Sequence, residues 1–287
     1  AGSIRFNTDS KKLEVYILSP VGYGTLPNGI WMEVDSWSPD LQTGGTRGLL
    51  GGGYAPSQTA EIMYWNIATT GSGDDFGDLT EARGYTAGVS SRTRAVWGGG
   101  GSSPVVDTID FVTISSTGNA TAFGELAYNN RYHMSNASNQ TRGIFAGGEN
   151  PSDVDIIEYL TIASTGDSID FGNLSAVREA PGGVNSSTRA VFMGGFSSPG
   201  YVNIIEFVTI STLGNSADFG DLPQVIGGGG GGSNAVRGLC GGGSTPSGDS
   251  VIIDFVNIAT LGNATRFGDL TVARRYGACA TSSTRAT

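Results

Sequence analysis

Short apolar segments alternate with clusters of Gly, Ser, Asn and Pro along most of the chain. One stretch shows four of them: a small-residue run at 84–90, an apolar run at 93–99 that ends in Gly-Gly, the run Ile109–Ile114, and a short stretch ending in Phe-Gly-x-Leu from Phe123. Short segments rich in β-branched and aromatic residues, bounded by turn formers, are typical of strands. Because no segment keeps a helical period, the pattern predicts an all-β fold.

The same four segments recur every 47 or 48 residues. Thr-Arg or a variant of it opens the second segment, with arginine at Arg47, Arg94, Arg142, Arg189, Arg237 and Arg285. The Phe-Gly pair recurs at Phe76, Phe123, Phe171, Phe219 and Phe267. The third segment recurs from Ile109, Ile157, Ile205 and Ile253, with a drifted copy from Ile62. Four-stranded units of about 40 to 50 residues are typical of β-propeller blades.

The first segment of each unit is mostly Gly, Ala and Ser, which suits a strand lining a narrow central channel. The repeats begin in mid-blade at Thr46, continue through four whole blades and end on another small-residue segment, residues 274–283. If that segment joins residues 46–79, the ring closes and no sheet edge stays open. We therefore predict a five-bladed β-propeller over residues 46–287, closed by the C-terminal strand.

Residues 1–45 lie outside the period. Strand-forming residues at 3–6 and 13–17 flank a turn at 7–10, and an apolar stretch follows at 30–34. This pattern predicts a β-hairpin extension. A lone hairpin is only marginally stable in water, so we expect residues 1–45 to be an attachment segment that packs on the propeller or on another subunit.

The amino-acid sequence of the repeat resembles that of a known repeat family. A Gly-Gly doublet after an apolar strand, with an aromatic residue in each of the next two strands, resembles kelch repeats. The run Ile253–Leu270 is similar to kelch-like repeats encoded by tailed bacteriophages, and this resemblance covers residues 46–287. Separately, residues 2–9, 13–16 and 31–34 resemble a short β module of phage tail and fibre proteins. The two resemblances imply a virion protein, and they transfer no catalytic or binding residue.

The charge of the chain narrows the choice of partners. The formal net charge is −10, and Lys11 and Lys12 are the only lysines. Such acidity repels phosphate backbones, so nucleic acid and anionic membranes are not expected partners. No apolar run approaches the roughly 18 residues of a membrane span, so no membrane insertion is expected.

The candidate catalytic and metal-binding residues each have a simpler explanation. The single histidine, His133, falls on a predicted inner strand with no nucleophile motif beside it, and a kelch-type copper oxidase site needs two histidines. Cys240 aligns with apolar core residues, and Cys279 stands where a small residue is needed. Asp74, Asp75 and Asp78 lack the spacing of a calcium loop. We expect no enzyme activity, no catalytic residue, no metal and no cofactor.

Charged residues recur at fixed positions of the repeat. The arginine that opens the second strand and the acid of the third strand are predicted to pair within each blade; the acids are Asp110, Glu158, Glu206 and Asp254. Exposed pairs of this kind contribute about 0 to 1 kcal/mol each. In the first copy Met63 replaces the acid, so Arg47 is predicted to lack that partner.

The most variable segments follow the Gly-Gly doublets, and in a propeller all of them emerge on one face. Loops on a rigid scaffold are frequent binding sites, although surface loops also vary without any function. The candidate binding residues on this face are Tyr54, Pro56, Ser103, Pro104, Asn150, Pro151, Pro199, Tyr201 and Pro246.

These observations leave several functions open. The first is a non-enzymatic virion structural protein, with the propeller displayed on a tail, fibre or capsid surface. Its expected partners are other virion proteins and a host-surface glycan or protein, and it is expected to be oligomeric in the particle. The alternative is a carbohydrate-active depolymerase, which requires carboxylates about 5 to 10 Å apart around a cleft. An intracellular kelch adaptor is a third possibility.

Overall fold

The computed structural model describes residues 3–7, 12–17, 30–33, 46–54, 56–101, 104–128, 131–149 and 151–287. It is all-β, and the described residues contain no helix. Consequently, none of them form a helix long and apolar enough to cross a membrane. The chain divides into two compact units, Ala1–Leu41 and Gln42–Thr287.

The first unit is a three-stranded antiparallel sheet in the order β1-β2-β3, with β1 at Ile4–Asn7, β2 at Lys12–Ile17 and β3 at Ile30–Glu33. On one side of it, Arg5 donates to Glu14 at 2.7 Å and lies over the Trp31 ring at 4.3 Å. Hydrogen bonds from Asn7 and Arg5 hold the pKa of the Glu14 carboxyl below its usual value. The predicted hairpin thus forms the first two strands of this sheet.

The second unit contains five blades arranged as a β-propeller, as predicted. Each is a meander whose strands run from the centre outward. Blade 1 has three strands: β4 (Arg47–Tyr54), β5 (Gln58–Asn66) and β6 (Asp74–Asp78). Blade 2 has four: β7 (Ala87–Ser90), β8 (Arg94–Gly98), β9 (Thr108–Thr113) and β10 (Thr121–Glu125). Blade 3 has β11 (Ser135–Ser138), β12 (Arg142–Ala146), β13 (Ile156–Thr161) and β14 (Ile169–Asn173).

The last two blades each carry a small ribbon between their second and third main strands. Blade 4 consists of β15 (Gly182–Asn185), β16 (Arg189–Met193), β19 (Ile204–Thr209) and β20 (Ala217–Asp221), and its ribbon pairs β17 (Phe196–Ser197) with β18 (Gly200–Tyr201). Blade 5 consists of β21 (Gly230–Ser233), β22 (Arg237–Gly241), β25 (Ile252–Asn257) and β26 (Thr265–Asp269), and its ribbon pairs β23 (Ser244–Thr245) with β24 (Gly248–Asp249).

The hydrophobic core lies between neighbouring blades. Phe145 of blade 3, which is fully buried, packs with Val96, Ile109 and Phe123 of blade 2. Blades 3 and 4 share a similar cluster that includes Phe192. Burying a side chain of this size contributes about 1.5 to 3 kcal/mol, so each blade is stabilised mainly by the blades on either side of it.

Two repeated hydrogen bonds join each of blades 1 to 4 to the blade that follows it. The arginine that opens the second strand donates to a carbonyl of the following blade; Arg94, for example, reaches the Ile162 oxygen at 3.0 Å. The Phe-Gly phenylalanine accepts from a glycine of the following blade, as Phe123 does from Gly166 at 2.8 Å. A Cβ on Gly172, the glycine of the Phe-Gly pair in blade 3, would lie 2.4 Å from the oxygen of Gly214 in blade 4, which explains why the position is glycine.

The ion pairs differ from the prediction, because the acid of the third strand pairs with another arginine. Arg83, which precedes the innermost strand of blade 2, donates to Asp110 at 2.9 Å, and both are buried. Arg131 pairs with Glu158 in the same way, and Arg178 lies 3.1 Å from Glu206. A bulge in the pairing of the third and fourth strands accompanies each buried acid.

The arginine that opens the second strand has an aromatic partner instead of an acid. Arg142 lies over Tyr159 at 4.6 Å, and the same arrangement occurs in all five blades. Arg47 therefore does not depend on an acid at Met63: it lies over Tyr64 and donates to the Ile114 oxygen at 2.8 Å. These arginines connect blades, and the predicted within-blade pairing is wrong.

The two ends of the repeat region meet, but the terminal segment is not the innermost strand of blade 1. Among the described residues, 276–287 form no backbone ladder with β4. They fold back on themselves, with Ala280 and Thr287 exchanging two 3.0 Å backbone hydrogen bonds. A Cβ on Gly232 of blade 5 would meet Cys279, and one on Gly48 of blade 1 would meet Ala280. The segment therefore lies between blades 5 and 1.

The terminal segment contacts blade 1 through the same kind of arginine-to-carbonyl hydrogen bond that joins the other blades. Arg285 donates to the Ala68 oxygen at 3.0 Å, as Arg94, Arg142 and Arg189 donate to the blade that follows each of them. The outer part of blade 5 has no such neighbour among the described residues. Phe267 is 54 % exposed, whereas Phe123, Phe171 and Phe219 are 2 to 3 % exposed. The face of blade 5 that carries Phe267 is therefore uncovered among the described residues, and the predicted pairing that would close the edge of β4 is not formed there.

Candidate binding site at the channel mouth

A central channel of about 630 Å³ runs between the innermost strands. Small and polar residues of these strands line its wall, among them Gly88, Ala137, Gly183 and Gly231. Their backbones approach closely, so that a Cβ on Gly231 would lie 2.1 Å from the Gly183 oxygen. The small-residue segments thus occupy the centre, as the sequence predicts.

At one mouth of the channel, the residue two places before the innermost strand of blades 2 to 5 adopts a left-handed backbone, and so does the equivalent residue of the terminal segment. These residues are Tyr85, His133, Ala180, Gly228 and Tyr276, with φ between 50° and 69°. Backbone hydrogen bonds link successive units: Ala180 donates to His133, Gly228 to Ala180 and Tyr276 to Gly228, at 2.6 to 2.8 Å. For a bulky residue this backbone is strained, and such strain is frequent at functional sites.

Three of these residues carry rings, and the rings meet over the channel. His133 and Tyr276 stack with centroids 4.6 Å apart and planes 4° apart. Tyr85 approaches His133 edge-on at 4.4 Å. Because His133 and Tyr276 belong to units that are not neighbours, their contact spans the opening. The absence of a side chain at Gly228 makes room for this stack, because a Cβ there would lie 3.0 Å from the Tyr276 ring.

Further tyrosines extend this aromatic group outward. Tyr54, 56 % exposed, stacks on Tyr85 at 6.2 Å. Tyr132 lies 4.7 Å from the His133 ring. We call Tyr54, Tyr85, Tyr132, His133 and Tyr276 the aromatic mouth. It combines flat apolar surfaces with phenol hydroxyls, a combination that is common at binding sites.

Two carboxylates adjoin the aromatic mouth. Glu179 Oε2 lies 2.6 Å from His133 Nδ1, and both side chains are 12 % exposed. The Tyr132 hydroxyl donates to Glu149 Oε2 at 2.9 Å. One carboxylate oxygen of Glu149 lies within 4.8 Å of one of Glu179. The backbone fixes this group, because Tyr132 and Glu149 form an antiparallel bridge, as do Glu179 and Phe196.

The environment changes the pKa values of these groups in different directions. Burial raises the pKa of Glu149, and its proximity to Glu179 and Asp153 adds to the effect. Burial opposes ionisation of Glu179 as well, but the hydrogen bond and charge of His133 hold its pKa below the usual value. Burial and the bond to Glu149 raise the pKa of Tyr132 to about 12.

The predicted binding residues lie on loops near this mouth, but few of them contact it. Tyr54 belongs to the aromatic mouth. Tyr201 packs edge-on against Phe196 at 5.2 Å, and a Cβ on Gly227 would lie 3.0 Å from its ring. The exposed prolines on the loops are Pro56, Pro104, Pro151, Pro199 and Pro246. Ser103 and Asn150 lie outside the described residues.

The sequence analysis missed most of the mouth. His133 was considered only as a catalytic residue on an inner strand, whereas it lies in the bend before β11, which begins at Ser135. Glu149 follows a Gly-Gly doublet at the start of a variable segment, and no repeated motif marks Glu179. An alignment of the repeats contains one relevant signal: the position of Tyr85, His133, Ala180, Gly228 and Tyr276 varies from glycine to tyrosine beside strands of uniformly small residues.

The other candidate residues have structural surroundings. Cys240 is 4 % exposed within the core cluster between blades 4 and 5, as its alignment predicts. Burial, aided by Asp254, raises its pKa to about 12. Cys279 lies near Gly232, and burial raises its pKa to about 11. In the described part of the chain, only His133, Glu149 and Glu179 form a group of possible metal ligands, and Asp74, Asp75 and Asp78 do not.

No protein-family model matches the chain, and a search of curated proteins finds no significant relative.

Proposed function

We propose that the protein is a non-enzymatic structural protein of a phage virion. In this proposal the kelch-like propeller is displayed on a tail, fibre or capsid surface. Its loop face, centred on the aromatic mouth, binds a host-surface glycan or protein or a neighbouring virion protein. Two resemblances support the virion assignment: that of the repeat sequence to kelch-like phage repeats, and that of residues 2–9, 13–16 and 31–34 to a module of phage tail and fibre proteins.

The observation that carries the binding proposal is the position of the aromatic mouth. It lies where the loops after the second strands meet the segments before the innermost strands, as the contact of Tyr54 with Tyr85 illustrates. Sugar rings stack on exposed aromatic faces, and their hydroxyls donate to carboxylates. Tyr54 and Tyr276, 56 % and 46 % exposed, provide the faces, and Glu149 provides the acceptor. We therefore favour a saccharide over a protein as the receptor group.

Contacts with other virion proteins have separate support. In the first unit, Ile4, Phe6 and Leu13 are 64 %, 59 % and 43 % exposed. Ile4 pairs with Val15 and Phe6 with Leu13 across the strands, so these side chains share one face of the sheet. Contiguous exposed apolar surface is typical of interaction sites. The sheet thus offers a means of attachment that does not use the loop face.

A glycan array of bacterial surface polysaccharides tests receptor binding. We expect the wild-type protein to bind a defined set of saccharides, and Tyr54→Ala and Tyr276→Ala each to lower that affinity at least tenfold. Tyr128→Ala is the matched control, because Tyr128 is 43 % exposed but outside the aromatic mouth. Saccharide binding that survives both mouth substitutions, or no binding at all, would remove the glycan receptor from the proposal.

Mass spectrometry of purified particles tests the virion assignment separately. We expect peptides of this chain in stoichiometric amounts in particles purified from infected cells. Absence from the particles would refute the structural role, whatever the glycan array shows.

A depolymerase has weaker support. Glu149 and Glu179 converge beside the mouth with pKa values shifted in opposite directions, as an acid and a base of a glycosidase do. Oxygen atoms of their two carboxyl groups lie within 4.8 Å of each other, however, whereas glycosidases separate their carboxyl groups by about 5 Å or more to admit the sugar. We expect no release of reducing ends from any saccharide that binds. Release that Glu149→Gln abolishes would favour the enzyme.

A further inference from the structure

His133, Glu149 and Glu179 form a group whose purpose the binding proposal does not explain. One ligand atom from each lies within 4.8 Å of the other two. The three residues come from separate segments: the bend before β11, the loop after β12 and the segment before β15. We propose that they bind a divalent transition-metal ion, of which Zn²⁺ is the best fit, at the mouth of the channel.

The first argument is charge. Elsewhere in this propeller, Asp110, Glu158 and Glu206 are buried beside an arginine. Glu149 and Glu179 have no such partner: among the described residues, the one ion pair that either of them makes is that of Glu179 with His133. The nearby Arg275 is directed to Asp249, 3.8 Å away. Two adjoining carboxylates without a guanidinium require a proton or a cation between them.

The second argument is the donor set. One imidazole nitrogen and two carboxylate oxygens suit zinc, which binds such ligands at about 2.0 to 2.2 Å in tetrahedral sites. Ligand atoms in a tetrahedral site lie roughly 3.3 Å apart. The Glu179 to His133 contact of 2.6 Å needs to widen by under about 1 Å to admit the ion. A site for calcium would be built from oxygen ligands alone.

The surroundings of the three ligands provide an independent observation. His133 Nε2 is buried, with no hydrogen-bond partner among the described residues. Nδ1 faces the Glu179 carboxylate and is therefore the nitrogen available to a metal ion, and the ring proton then resides on Nε2. The Tyr132 hydroxyl, 2.9 Å from Glu149, orients that carboxylate as outer hydrogen bonds commonly orient metal ligands.

Three protein ligands leave a fourth position open in a tetrahedral site. Because the aromatic mouth surrounds these ligands, a water molecule or an oxygen atom of a bound molecule would occupy that position. This inference does not depend on the proposed function, since a metal site at the mouth is equally compatible with a structural role.

Isothermal titration of EDTA-treated protein with ZnCl₂ tests the proposal. We expect one ion per chain, and at least a tenfold loss of affinity in both Glu149→Gln and Glu179→Gln. His133→Asn provides a further variant, because asparagine tolerates the left-handed backbone at this position. Asp249→Asn is the matched control on the same face and should bind zinc as the wild type does.

Circular dichroism of each variant in EDTA establishes that it folds, and ZnCl₂ should raise the melting temperature of the wild type but not of a folded Glu149→Gln variant. If the wild-type protein does not bind Zn²⁺ at about 0.1 mM, the proposal is overturned. Binding that both glutamine variants retain, or a preference for Ca²⁺ over Zn²⁺, would also overturn it.

Discussion

Blades 3 and 5 have the same four main strands in the same register, yet the surroundings of their buried acid differ. In blade 3, Glu158 is opposite Phe145 and pairs with Arg131. In blade 5, Asp254 is opposite Cys240 and is 3 % exposed, but Ile226 occupies the position of the arginine. Blade 5 therefore keeps the acid without the cation that accompanies it elsewhere.

The hydroxyl groups that surround the acid have changed as well. In blade 4, Ser175 and Ser216 both donate to Glu206. The equivalent residues of blade 5 are Pro223 and Ala264, which have no side-chain donor. Burial accordingly raises the pKa of Asp254, and attraction to Arg266 only partly offsets it. The comparison indicates that Asp254 can be buried without an arginine because it can bind a proton. In blades 2 to 4 the buried acid is instead stabilised by its arginine partner.

The largest expected effect is the loss of the blade 3 cation. Arg131→Met leaves Glu158 buried without its partner, and breaking a buried pair in this way costs about 3 to 5 kcal/mol. Urea denaturation should show a free energy of unfolding lower by that amount. The double variant Arg131→Met, Glu158→Leu should recover most of the loss because no charge remains buried. A loss under about 1 kcal/mol in the single variant would mean that blade 3 tolerates its acid as blade 5 does.

The next effect compares the Phe-Gly phenylalanine in the two kinds of environment. Phe171 of blade 3 is 2 % exposed beneath blade 4, and Phe267 of blade 5 is 54 % exposed. Phe171→Ala should lower the free energy of unfolding by about 3 to 5 kcal/mol. Phe267→Ala should lower it by under about 1.5 kcal/mol, because most of its ring already contacts water. Equal losses in urea denaturation would show that Phe267 is covered in solution.

These differences also mark what the sequence could predict. The period of Arg94, Phe123 and their counterparts predicts the strands and their grouping into blades. It could not tell which arginine pairs with the acid, since Arg83 and Arg94 both recur with the same period. Their partners depend on register and on the bulge before the acid, neither of which the period specifies.

The aromatic mouth could not be predicted from the sequence for a related reason. His133 and Tyr276 are far apart in sequence, and they meet because the ring brings non-neighbouring units to one axis. Glu149 and Glu179 likewise come from loops of different blades. A repeat alignment shows which residues are equivalent, but contacts across the axis depend on side-chain length at each copy and on how far the ring closes.

A smaller effect follows from the raised pKa of Asp254. In the folded state this carboxyl binds its proton more tightly than in the unfolded state, so ionisation destabilises the fold above the folded pKa. That cost should disappear as the pH falls through the folded pKa. Asp254→Asn should therefore stabilise the protein at pH 7, by on the order of 1 kcal/mol, with a gain that shrinks on acidification.

Asp110→Asn is the matched control for this substitution, because Asp110 has the same position in blade 2 and is paired with Arg83. It should destabilise at pH 7, since the arginine loses its charged partner. Denaturation curves at several pH values would measure both. A destabilising Asp254→Asn would indicate that the acid has a partner in solution.

A last comparison concerns the arginine that opens the second strand. Arg142 lies over Tyr159 and donates to the Ile210 oxygen of blade 4 at 2.7 Å. Arg237 lies over Phe255 at 5.1 Å, but no described residue accepts from its guanidinium. A cation–π contact contributes about 0.5 to 1 kcal/mol at exposed sites, and a hydrogen bond from a charged group about 1.5 to 3 kcal/mol. Arg142→Met should therefore cost about 2 kcal/mol in urea denaturation and Arg237→Met under about 1 kcal/mol, so the difference isolates the hydrogen bond between blades. If the two substitutions cost the same, the aromatic contact within the blade, and not the bond to the next blade, is what the repeated arginine provides.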